Sequence, residues 1–571
     1  MLTAAPAYAV DNVICVDVVT SGCNESADTI PLALTAANGN GKADTIVFGG
    51  PQNDGPYTLN GGAEGLLLVG SGPNAVISLP SGPIQTYLSV SNATVRGFTI
   101  AMNAVSSSND TGIQLSGGAT ADQVTVNGAG ADNASGISVT NGTVSSASVL
   151  MDIVSNSGTS GIRGFGGATV LDTTVTAGRA FSHSGATPDT LDRLTLRAGD
   201  YGVTVDSGTV NIADSVIDLG ARPAVGLSAG NFNGGDTTET VNADHVTIVG
   251  GSAGSRGVEA SATILAGKKD ATVNLANSII RGPETSLVAE ATNNGAQGGP
   301  STATVNVAYT DYQSTSNPNL IGANGTGGVV VGTGNVVGTD PGFASPATSD
   351  YRLTPGSPLV DKGDPAPGGP PQDRDGTARV VDGDAVAGAR RDMGAYELHD
   401  STAPETTISS GPSGVTSDPT PTFAFTSEPG ATFECKIDAA AFAACTSPLT
   451  TPSLADGAHV FSVRAKDAAS NVDATPATRS FTVDTTAPDT TITKKPAKRT
   501  TKAKVKLVFS SEAGATFQCQ VDGQAWKACT SPLKLKVKLG KHVVLVRAID
   551  AAGNTDATPA KVKFKRVAKP R

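Results

Sequence analysis

A short repeat in the first half of the chain constrains its fold more than any other feature. Each copy begins with Gly and an apolar residue in an alternating apolar pattern, and continues through a Gly/Asn/Ser turn into Thr-apolar pairs. The starts lie at positions 112, 136, 161, 180 and 202, where the degenerate copy at 180 has Ala in place of Gly. Their spacings are 24, 25, 19 and 22, and later Thr-Val-Asn copies at 240, 272 and 304 are spaced by 32.

The length of one repeat determines what it can fold into. Each copy holds short apolar runs, and at about 3.3 Å per residue a run of three to five residues is a strand about 10–17 Å long. Such a unit cannot bury its own apolar side chains, whereas stacked units enclose a continuous column of Val, Ile and Leu. A β-propeller blade needs about 40 residues or more, which is longer than these units. The repeat therefore predicts an all-β chain with a right-handed parallel β-helix over residues 10–337.

Charge is distributed unevenly along the chain. Residues 486–571 contain 19 Lys/Arg and 5 Asp/Glu, a balance of +14, although the whole chain carries −11. Residues 1–401 carry −20 and residues 402–485 carry −5. A basic end on an acidic protein indicates an anionic partner.

The cysteines indicate an oxidising compartment. Six Cys form three local pairs, Cys15 with Cys23, Cys435 with Cys445 and Cys519 with Cys529, which predicts three disulfides. Ala7-Tyr8-Ala9 has the small-x-small form of a signal-peptidase site, so we interpret residues 1–9 as the remnant of a signal peptide. No apolar run approaches the roughly 18–20 residues of a transmembrane helix. These features predict a secreted or cell-surface protein without a membrane span.

The segment that precedes the repeats resembles the start of a known group of solenoids. Residues 27–48 contain Ala27-Asp28-Thr29-Ile30 and then Ala43-Asp44-Thr45-Ile46. This segment resembles the entry of bacterial pectate-lyase-like β-helix proteins. The resemblance implies a short helix that caps the first coil, since an uncovered end exposes both the core and strand edges.

A second resemblance concerns residues 338–400. The matching stretches include Asp340-Pro341-Gly342-Phe343, Asp373-Arg374-Asp375-Gly376 and Asp392-Met393-Gly394-Ala395-Tyr396-Glu397. They are similar to the choice-of-anchor Q region that closes many such β-helices. The resemblance implies attachment to a surface rather than a defined reaction.

The C-terminal part of the chain is a duplication. Thr402-Ala403-Pro404 recurs as Thr486-Ala487-Pro488, and the Cys pair of the first copy recurs at the equivalent positions of the second. The copies resemble bacterial Ig-like repeats of secreted actinobacterial proteins. The resemblance and the alternating strands predict two β-sandwiches of seven strands, at residues 401–485 and 486–571.

Evidence for catalysis in the repeats is weak. Stacked coils could bring a few charged residues to one face, and the candidates are Asp192, Arg193, Asp214 and His245. Polysaccharide lyases need a cation and an Arg or Lys base, and glycosidases need paired carboxylates. Neither the Asp pair beside Gly-His-Gly nor the Arg-rich strand of pectinolytic enzymes is present. We expect a non-catalytic protein, and a polysaccharide lyase or glycoside hydrolase acting on an acidic polysaccharide stays open as the alternative.

Calcium is the only cofactor that the sequence suggests. Six acidic residues cluster after the repeats, namely Asp361, Asp364, Asp373, Asp375, Asp382 and Asp384. Calcium takes six to eight oxygen ligands, which such a cluster could supply. A polar loop with acidic turn residues explains the same pattern, and we favour this second interpretation.

Lysines alternate along two predicted strands of the last repeat. The candidate binding residues are Lys534, Lys536, Lys538, Lys561, Lys563 and Lys565. Alternation places each set on one side of its strand, where it could hold an anionic wall polymer or extracellular polysaccharide. Lysines that protect a sheet edge from strand addition are the equally weighted alternative. Nucleic acid is not expected, because Trp526 is the only aromatic suited to base stacking there. The sequence thus predicts an adhesive or polysaccharide-binding solenoid on an Ig-like stalk.

Overall fold

The computed structural model describes residues 12–16, 25–27, 30, 33, 44–49, 51–52, 57–60, 66–70, 75–78, 86–102, 110–128, 134–151, 159–230, 237–264, 268–293, 301–316, 325–365, 371–379, 390–398, 402–467 and 471–569. Their regular secondary structure is almost entirely β-strand. They form two compact units, one that ends at residue 398 and one that begins at residue 402. The predicted signal-peptide remnant lies outside the described residues.

The first unit is the predicted parallel β-helix. Its strands, labelled in chain order, stack coil on coil into three faces. The first face contains β1 (Asn12–Val16), with β2 (Glu25–Ala27) beside it, and then β3 (Asp44–Phe48), β6 (Leu66–Gly70), β9 (Thr94–Arg96), β12 (Thr120–Asp122), β15 (Thr143–Ser145), β18 (Thr169–Leu171), β20 (Asp189–Asp192), β24 (Thr237–Asp244), β27 (Lys269–Ala276), β30 (Ser301–Ala308) and β33 (Gly325–Val331).

The chain then turns onto the second face, and from there onto the third. The second face contains β4 (Pro51–Gln52), β7 (Val76–Ser78), β10 (Thr99–Ala101), β13 (Thr125–Gly128), β16 (Ser148–Met151), β22 (Val216–Asp218), β25 (Thr247–Val249), β28 (Ile279–Arg281), β31 (Asp311–Tyr312) and β34 (Val336–Val337). The third face contains β5 (Tyr57–Asn60), β8 (Thr86–Ser91), β11 (Thr111–Ser116), β14 (Ser135–Thr140), β17 (Ser160–Gly164), β23 (Val225–Ala229), β26 (Arg256–Ile264), β29 (Thr285–Asn293) and β32 (Thr315–Ser316). Two long strands turn corners: β19 (Thr174–Ser184) joins the second and third faces, and β21 (Thr195–Ala213) runs through all three.

Parallel register aligns the repeats as the sequence predicts. On the third face, equivalent apolar residues of successive coils pair directly and are buried. This row is Leu88, Ile113, Ile137, Ile162, Phe181, Val203, Leu227, Val258 and Leu287. The apolar residues that no single coil could hide therefore form one column, which confirms the β-helix.

Close packing explains why most of the repeats start with glycine. A Cβ atom at Gly136 would lie 2.5 Å from Cγ1 of Val149 and 2.7 Å from the carbonyl oxygen of Gly161. A Cβ at Gly112 would lie 2.6 Å from the carbonyl oxygen of Gly136. At this position the third-face strand thus closely approaches the next coil and the second-face side chains, which favours Gly, although the degenerate copy accommodates Ala180 there.

The entry of the β-helix is described only in part. Ile30 and Ala33 are helical and have no exposed surface in the core. Both belong to the segment that the sequence predicts as a capping helix, and their burial agrees with that prediction.

The closing region, residues 338–398, packs against the second face. It begins with the antiparallel strands β35 (Phe343–Ser345) and β36 (Asp350–Leu353), joined by the 3₁₀ helix η1 (Pro346–Thr348). Tyr351 and Ala395 contact the outward side chains of Val216 and Val249. Strands of the second face are consequently buried on both sides, which explains why their outward residues are apolar.

The closing region also bonds to several successive coils. Arg374 Nη2 donates to Thr195 Oγ1 at 2.9 Å, and the Ala395 N–H donates to Thr247 Oγ1 at 2.9 Å. Farther along, the Gly394 N–H donates to the Asn277 carbonyl at 2.7 Å. The segment therefore connects coils that are far apart in sequence, from the one at Thr195 to the one at Asn277.

The second unit consists of two Ig-like β-sandwiches with the same strand order. In the first, the three-stranded sheet is β37 (Thr407–Ser410), β39 (Thr422–Thr426) and β42 (Leu449–Thr450), and the five-stranded sheet is β38 (Val415–Thr416), β44 (Ala477–Val483), β43 (Gly457–Lys466), β40 (Thr432–Ile437) and β41 (Ala443–Cys445). In the second, the sheets are β45 (Thr491–Lys494), β47 (Lys504–Ser510) and β50 (Leu533–Lys536), and β46 (Arg499–Thr500), β52 (Ala560–Arg566), β51 (Gly540–Ile549), β48 (Thr516–Val521) and β49 (Lys527–Cys529). Each sandwich has eight strands rather than the seven predicted, because a two-residue strand adds to the five-stranded sheet.

Candidate functional site

The four candidate catalytic residues meet at one corner of the β-helix. A single residue in the left-handed region turns each coil from the first face to the second. Arg193, Asp214 and His245 occupy this position in three successive coils, with φ of 54°, 47° and 54°. Asp192 precedes the corner on the first face. Besides Gly, the residues enriched in left-handed backbone are Asn, Asp and His, so turn preference accounts for Asp214 and His245 but not for Arg193.

The closing region covers this corner. Arg379 donates from Nε to Asp214 Oδ1 at 2.9 Å and from Nη2 to the same oxygen at 2.5 Å, while its Nη1 bonds to Glu397 at 3.2 Å. Asp214 and His245 have no exposed surface. A polymeric substrate therefore has no contact with either side chain in this conformation.

Burial sets the protonation of both covered residues. It raises the pKa of Asp214 to about 7, against the opposing effect of the Arg379 guanidinium. It lowers the pKa of His245 to about 4, although Asp244 Oδ1 lies 2.9 Å from Nδ1 of the ring. The imidazole is consequently neutral at pH 7, and the geometry assigns the corner to the attachment of the closing region.

Asp192 and Arg193 are more accessible, but they are paired. Arg193 bonds from Nε and Nη2 to the two oxygens of Asp172, at 2.7 and 2.8 Å, and from Nη1 to Asp192 at 2.5 Å. Burial raises the pKa of Asp192, and the Arg193 guanidinium partly offsets that rise. The bonds to Asp172 raise the pKa of Arg193 and hold it protonated, and a protonated guanidinium cannot act as a base.

The acidic cluster of the closing region serves the backbone. Asp373 accepts N–H bonds from Asp375 and Thr377 through Oδ1 and from Glu397 through Oδ2. Asp375 Oδ2 pairs with Arg352 at 3.0 Å.

Two further members of the cluster, Asp361 and Asp364, have different partners. Asp361 accepts the Arg390 N–H at 2.9 Å, and the Asp364 N–H donates to Asn277 Oδ1 at 2.7 Å. Asp382 and Asp384 lie outside the described residues. Within the ranges that the structure describes, no three His, Cys, Asp or Glu side chains form a metal-binding group.

A shallow groove of about 680 Å³ follows the outward side of the first face. Its lining includes four asparagines that are hydrogen-bonded from coil to coil: Asn242 to Asn211 at 2.8 Å, Asn274 to Asn242 at 2.8 Å and Asn306 to Asn274 at 2.7 Å. The regular spacing of the Thr-Val-Asn copies is the sequence signal for this ladder, but the spacing alone does not predict that the asparagines line a groove.

The candidate lysines lie on the outer faces of both sheets of the second Ig-like repeat. On the three-stranded sheet, Lys506 stands directly opposite Lys534 and Lys504 opposite Lys536. Lys538 follows the end of its strand and is exposed.

On the five-stranded sheet, three of the exposed lysines belong to β52. They are Lys561, Lys563 and Lys565, and Lys565 pairs across the sheet with Lys541 and Arg499. No lysine of either sheet has a salt bridge within the described part of the repeat. The two sets therefore form separate basic surfaces on opposite sides of one sandwich.

Two of the three predicted disulfides are present. Cys435–Cys445 and Cys519–Cys529 join neighbouring strands, each with a Cα–Cα distance of 5.8 Å. The predicted Cys15–Cys23 pair lies outside what the structure describes, since Cys23 and the side chain of Cys15 are not placed. Among the described residues, no helix is long and apolar enough to cross a bilayer.

Comparison with known proteins identifies the first Ig-like repeat. Residues 398–485 match the family model of the bacterial Ig-like domain. No curated protein sequence matches the chain. The fibronectin(III)-like modules of Clostridium thermocellum CbhA are 17% identical and cover 28% of this chain and 95% of their own, with a TM-score of 0.22.

Two larger structures are also similar at low scores. Dimeric latent PorU from Porphyromonas gingivalis is 16% identical over 32% of this chain and 22% of its own, with a TM-score of 0.14. The Dettilon tailspike protein is 10% identical over 95% of this chain and 88% of its own, with a TM-score of 0.30. The molecule thus combines a parallel β-helix with a bacterial Ig-like domain at residues 398–485 and a structural duplicate of that domain.

Proposed function

We propose that the protein acts outside the bacterial cell, as a non-catalytic surface protein whose second Ig-like repeat binds an anionic cell-wall polymer or polysaccharide. Its disulfides require an oxidising compartment, which supports an extracellular location. The bacterial Ig-like domain is compatible with that location.

One observation carries the proposal: lysines stand directly opposite lysines in the three-stranded sheet of the second repeat. Like charges in such pairs destabilise a sheet, so the fold gains nothing from Lys504 facing Lys536 or Lys506 facing Lys534. At the position of the second pair, the first repeat has Thr422 facing Thr450, with hydroxyls 2.8 Å apart. A bound polyanion would supply the missing countercharge.

Edge protection explains only part of this arrangement. Lysines commonly block strand addition at exposed edges. Lys534 and Lys536 are on the edge strand β50, but Lys504 and Lys506 are on β47, the central strand of the same sheet. β45 pairs with β47 only at residues 508–510, so Lys504 and Lys506 lie beyond that pairing. The facing of lysine against lysine, rather than a central position in the sheet, is what favours binding over solubility as their role.

Catalysis receives less support from the geometry than binding does. Asp214 and His245 are covered by the closing region, and Arg193 is bonded to two carboxylates. An ultraviolet assay for unsaturated uronate products, on acidic polysaccharides with calcium, would reveal a lyase. We expect no product from the full chain.

The proposal is tested by retention of the purified full chain on isolated bacterial cell walls. Replacement of Lys504, Lys506, Lys534, Lys536, Lys561, Lys563 and Lys565 by Gln is expected to reduce retention at least tenfold, while the matched set of Lys→Arg replacements preserves it. Wild-type retention should also fall from 0.1 to 1 M salt, because the screening length shortens from about 10 to about 3 Å. Undiminished retention of the Gln variant, or of the wild type at high salt, would refute the proposal.

A further inference from the structure

The five-stranded sheet of the second repeat presents an aromatic ring beside a row of cations. Trp526, the only Trp of the chain, is half-buried, and its ring centroid lies 4.3 Å from Cζ of Arg547. Arg547 is itself fixed, since its Nε and Nη2 donate to Gln518 Oε1 at 2.9 and 2.7 Å. Ring and guanidinium therefore form one rigid platform on the sheet surface.

The equivalent platform of the first repeat is electrically different. There Arg464 lies 4.3 Å from the ring of Phe442, but it is bonded to Glu434 at 2.8 and 2.6 Å. A carboxylate cancels the positive charge of that guanidinium. Gln518 is neutral, so Arg547 keeps its charge beside the ring.

A row of lysines continues from this platform. Lys561 is directly opposite Leu545, and Arg547 is the next outward residue of the same strand. Arg547 and Lys561 are thus diagonal neighbours about 7–8 Å apart. Lys563 and Lys565 follow along β52 at intervals of about 7 Å, because every second residue of a strand faces the same side. The face offers a flat apolar surface at one end and a line of positive charge along the rest.

We propose that this face recognises a negatively charged polysaccharide in particular, with the ring of Trp526 against a sugar and the cations against its carboxylates. The inference rests on the proposed binding of polyanions by the second repeat and adds what kind of polyanion it is. A polymer without sugar rings needs only the lysines. A half-buried Trp held beside an Arg supplies a rigid contact surface of the type that dominates binding energy in interfaces.

Arg547 occupies one side of the Trp526 ring, and the ring is only half-buried. The guanidinium stacks on one side of the Trp526 ring, and no other aromatic ring or cation in the described residues stacks on it. Phe442 of the first repeat is packed by both Lys436, at 4.8 Å, and Arg464. Phe442 is the matched control, since it is also an aromatic ring with an arginine 4.3 Å away, but no row of lysines lies beside it.

The test compares two polyanions, polygalacturonate and poly-L-glutamate of similar length, which share carboxylates but differ in sugar rings. The full chain is used with Lys504, Lys506, Lys534 and Lys536 replaced by Gln, so that the three-stranded sheet does not contribute. Trp526→Ala is expected to weaken polygalacturonate binding at least fivefold and to leave poly-L-glutamate binding unchanged. Trp526→Tyr should keep most of the affinity for polygalacturonate. Phe442→Ala should change the binding of neither polymer. Circular dichroism melting verifies that each variant is folded.

The outcomes separate this inference from the proposed function. Equal effects of Trp526→Ala on both polymers, or no effect on either, would overturn the recognition of a sugar. Replacement of Lys561, Lys563 and Lys565 by Gln should weaken the binding of both polymers. If binding of both polymers survived that replacement unchanged in the same background, the five-stranded face would not be a polyanion site and the inference would fall with it. If the wild-type chain bound neither polymer nor cell walls, the proposed function itself would fail.

Discussion

The two Ig-like repeats share a scaffold and differ on their surfaces. Both have the same strand order, and both pin the same pair of strands with a disulfide at a Cα–Cα distance of 5.8 Å. The first repeat carries a balance of −5 over residues 402–485, and the second carries +14 over residues 486–571. The difference is concentrated at outward positions, since Thr478, Ser480 and Thr482 of β44 become Lys561, Lys563 and Lys565 of β52.

The interiors differ too, but without changing the fold. The first repeat stacks Phe423 on Phe461, with ring centroids 4.3 Å apart. The second has Leu507 and Val544 at these positions. Two Phe are thus replaced by the smaller Leu and Val without a change of strand order, so one scaffold accommodates different interiors as well as different surface charges. The duplicated domain could therefore acquire a binding surface without a new architecture.

The largest effect is expected from truncation of the aromatic core. Phe423→Ala removes a buried ring that contacts Phe461 and Phe481, and it should destabilise the first repeat by about 3–5 kcal/mol. Hydrogen exchange of the full chain reads the opening of each repeat separately. Peptides of the second repeat should be unaffected, and a loss of protection there would show that the repeats do not open independently.

The disulfides should contribute equally to both repeats. Each closes a loop of 10 residues in sequence separation, so replacement of either Cys pair by Ala should cost about 2–3 kcal/mol in the chain-entropy model. Hydrogen exchange of the two double variants provides the measurement. A difference above about 1 kcal/mol between the repeats would show that local strand packing, rather than loop closure, sets the cost.

Exchange of the facing residues should move stability in opposite directions. Lys506→Thr with Lys534→Thr removes one like-charge pair and should stabilise the second repeat by about 0.2–1 kcal/mol. Thr422→Lys with Thr450→Lys should destabilise the first repeat by a similar amount, because it adds repulsion and removes the hydroxyl contact. Denaturation in 0.1 and 1 M salt is the measurement, and both effects should shrink at high salt. Equal stability of all variants at low salt would remove the electrostatic argument for function.

The smallest effect concerns pH. His459 bonds to the Ala455 carbonyl at 2.9 Å and to Asp438 at 2.8 Å, and these acceptors raise its pKa. A raised folded pKa stabilises the repeat fully below the unfolded value of about 6.5, and this contribution is lost as pH rises through the folded pKa. Hydrogen exchange at pH 6 and 8, corrected for intrinsic rates, should show the loss in the wild type and not in His459→Gln.

The second repeat sharpens the pH comparison. His542 has the same two kinds of acceptor, the Lys538 carbonyl and Asp522, but Arg566 opposes the rise of its pKa. We therefore expect a smaller loss of stability in the second repeat than in the first. An equal or larger loss would mean that the surrounding cations do not reach this histidine.

Much of the fold follows from the sequence because its causes are local and repeated. A Gly begins most of the coils, as at Gly136, because the strand there closely approaches its neighbour, and the buried apolar row recurs with it. The Ig-like copies were visible as a duplication with equally spaced Cys pairs. These features repeat in the sequence because they repeat in space.

The candidate corner could not be interpreted from sequence in the same way. Its residues do come together, but the group that pairs with Asp214 is Arg379, 165 residues away. No periodic pattern in the sequence predicts a contact between residues so far apart. Likewise, alternation placed the lysines on strand faces, but only the register of β47 against β50 shows that Lys506 faces Lys534.

The closing region has a mechanical consequence for the β-helix. Coils of a solenoid contact only their neighbours, so a pulling force on one end can normally peel them away one at a time. A strap bonded at Thr195, Thr247 and Asn277 bridges several coils at once, and those coils cannot separate until the strap detaches. Under tension, this stretch of the molecule should yield in a single step at a higher force than the coils that precede it.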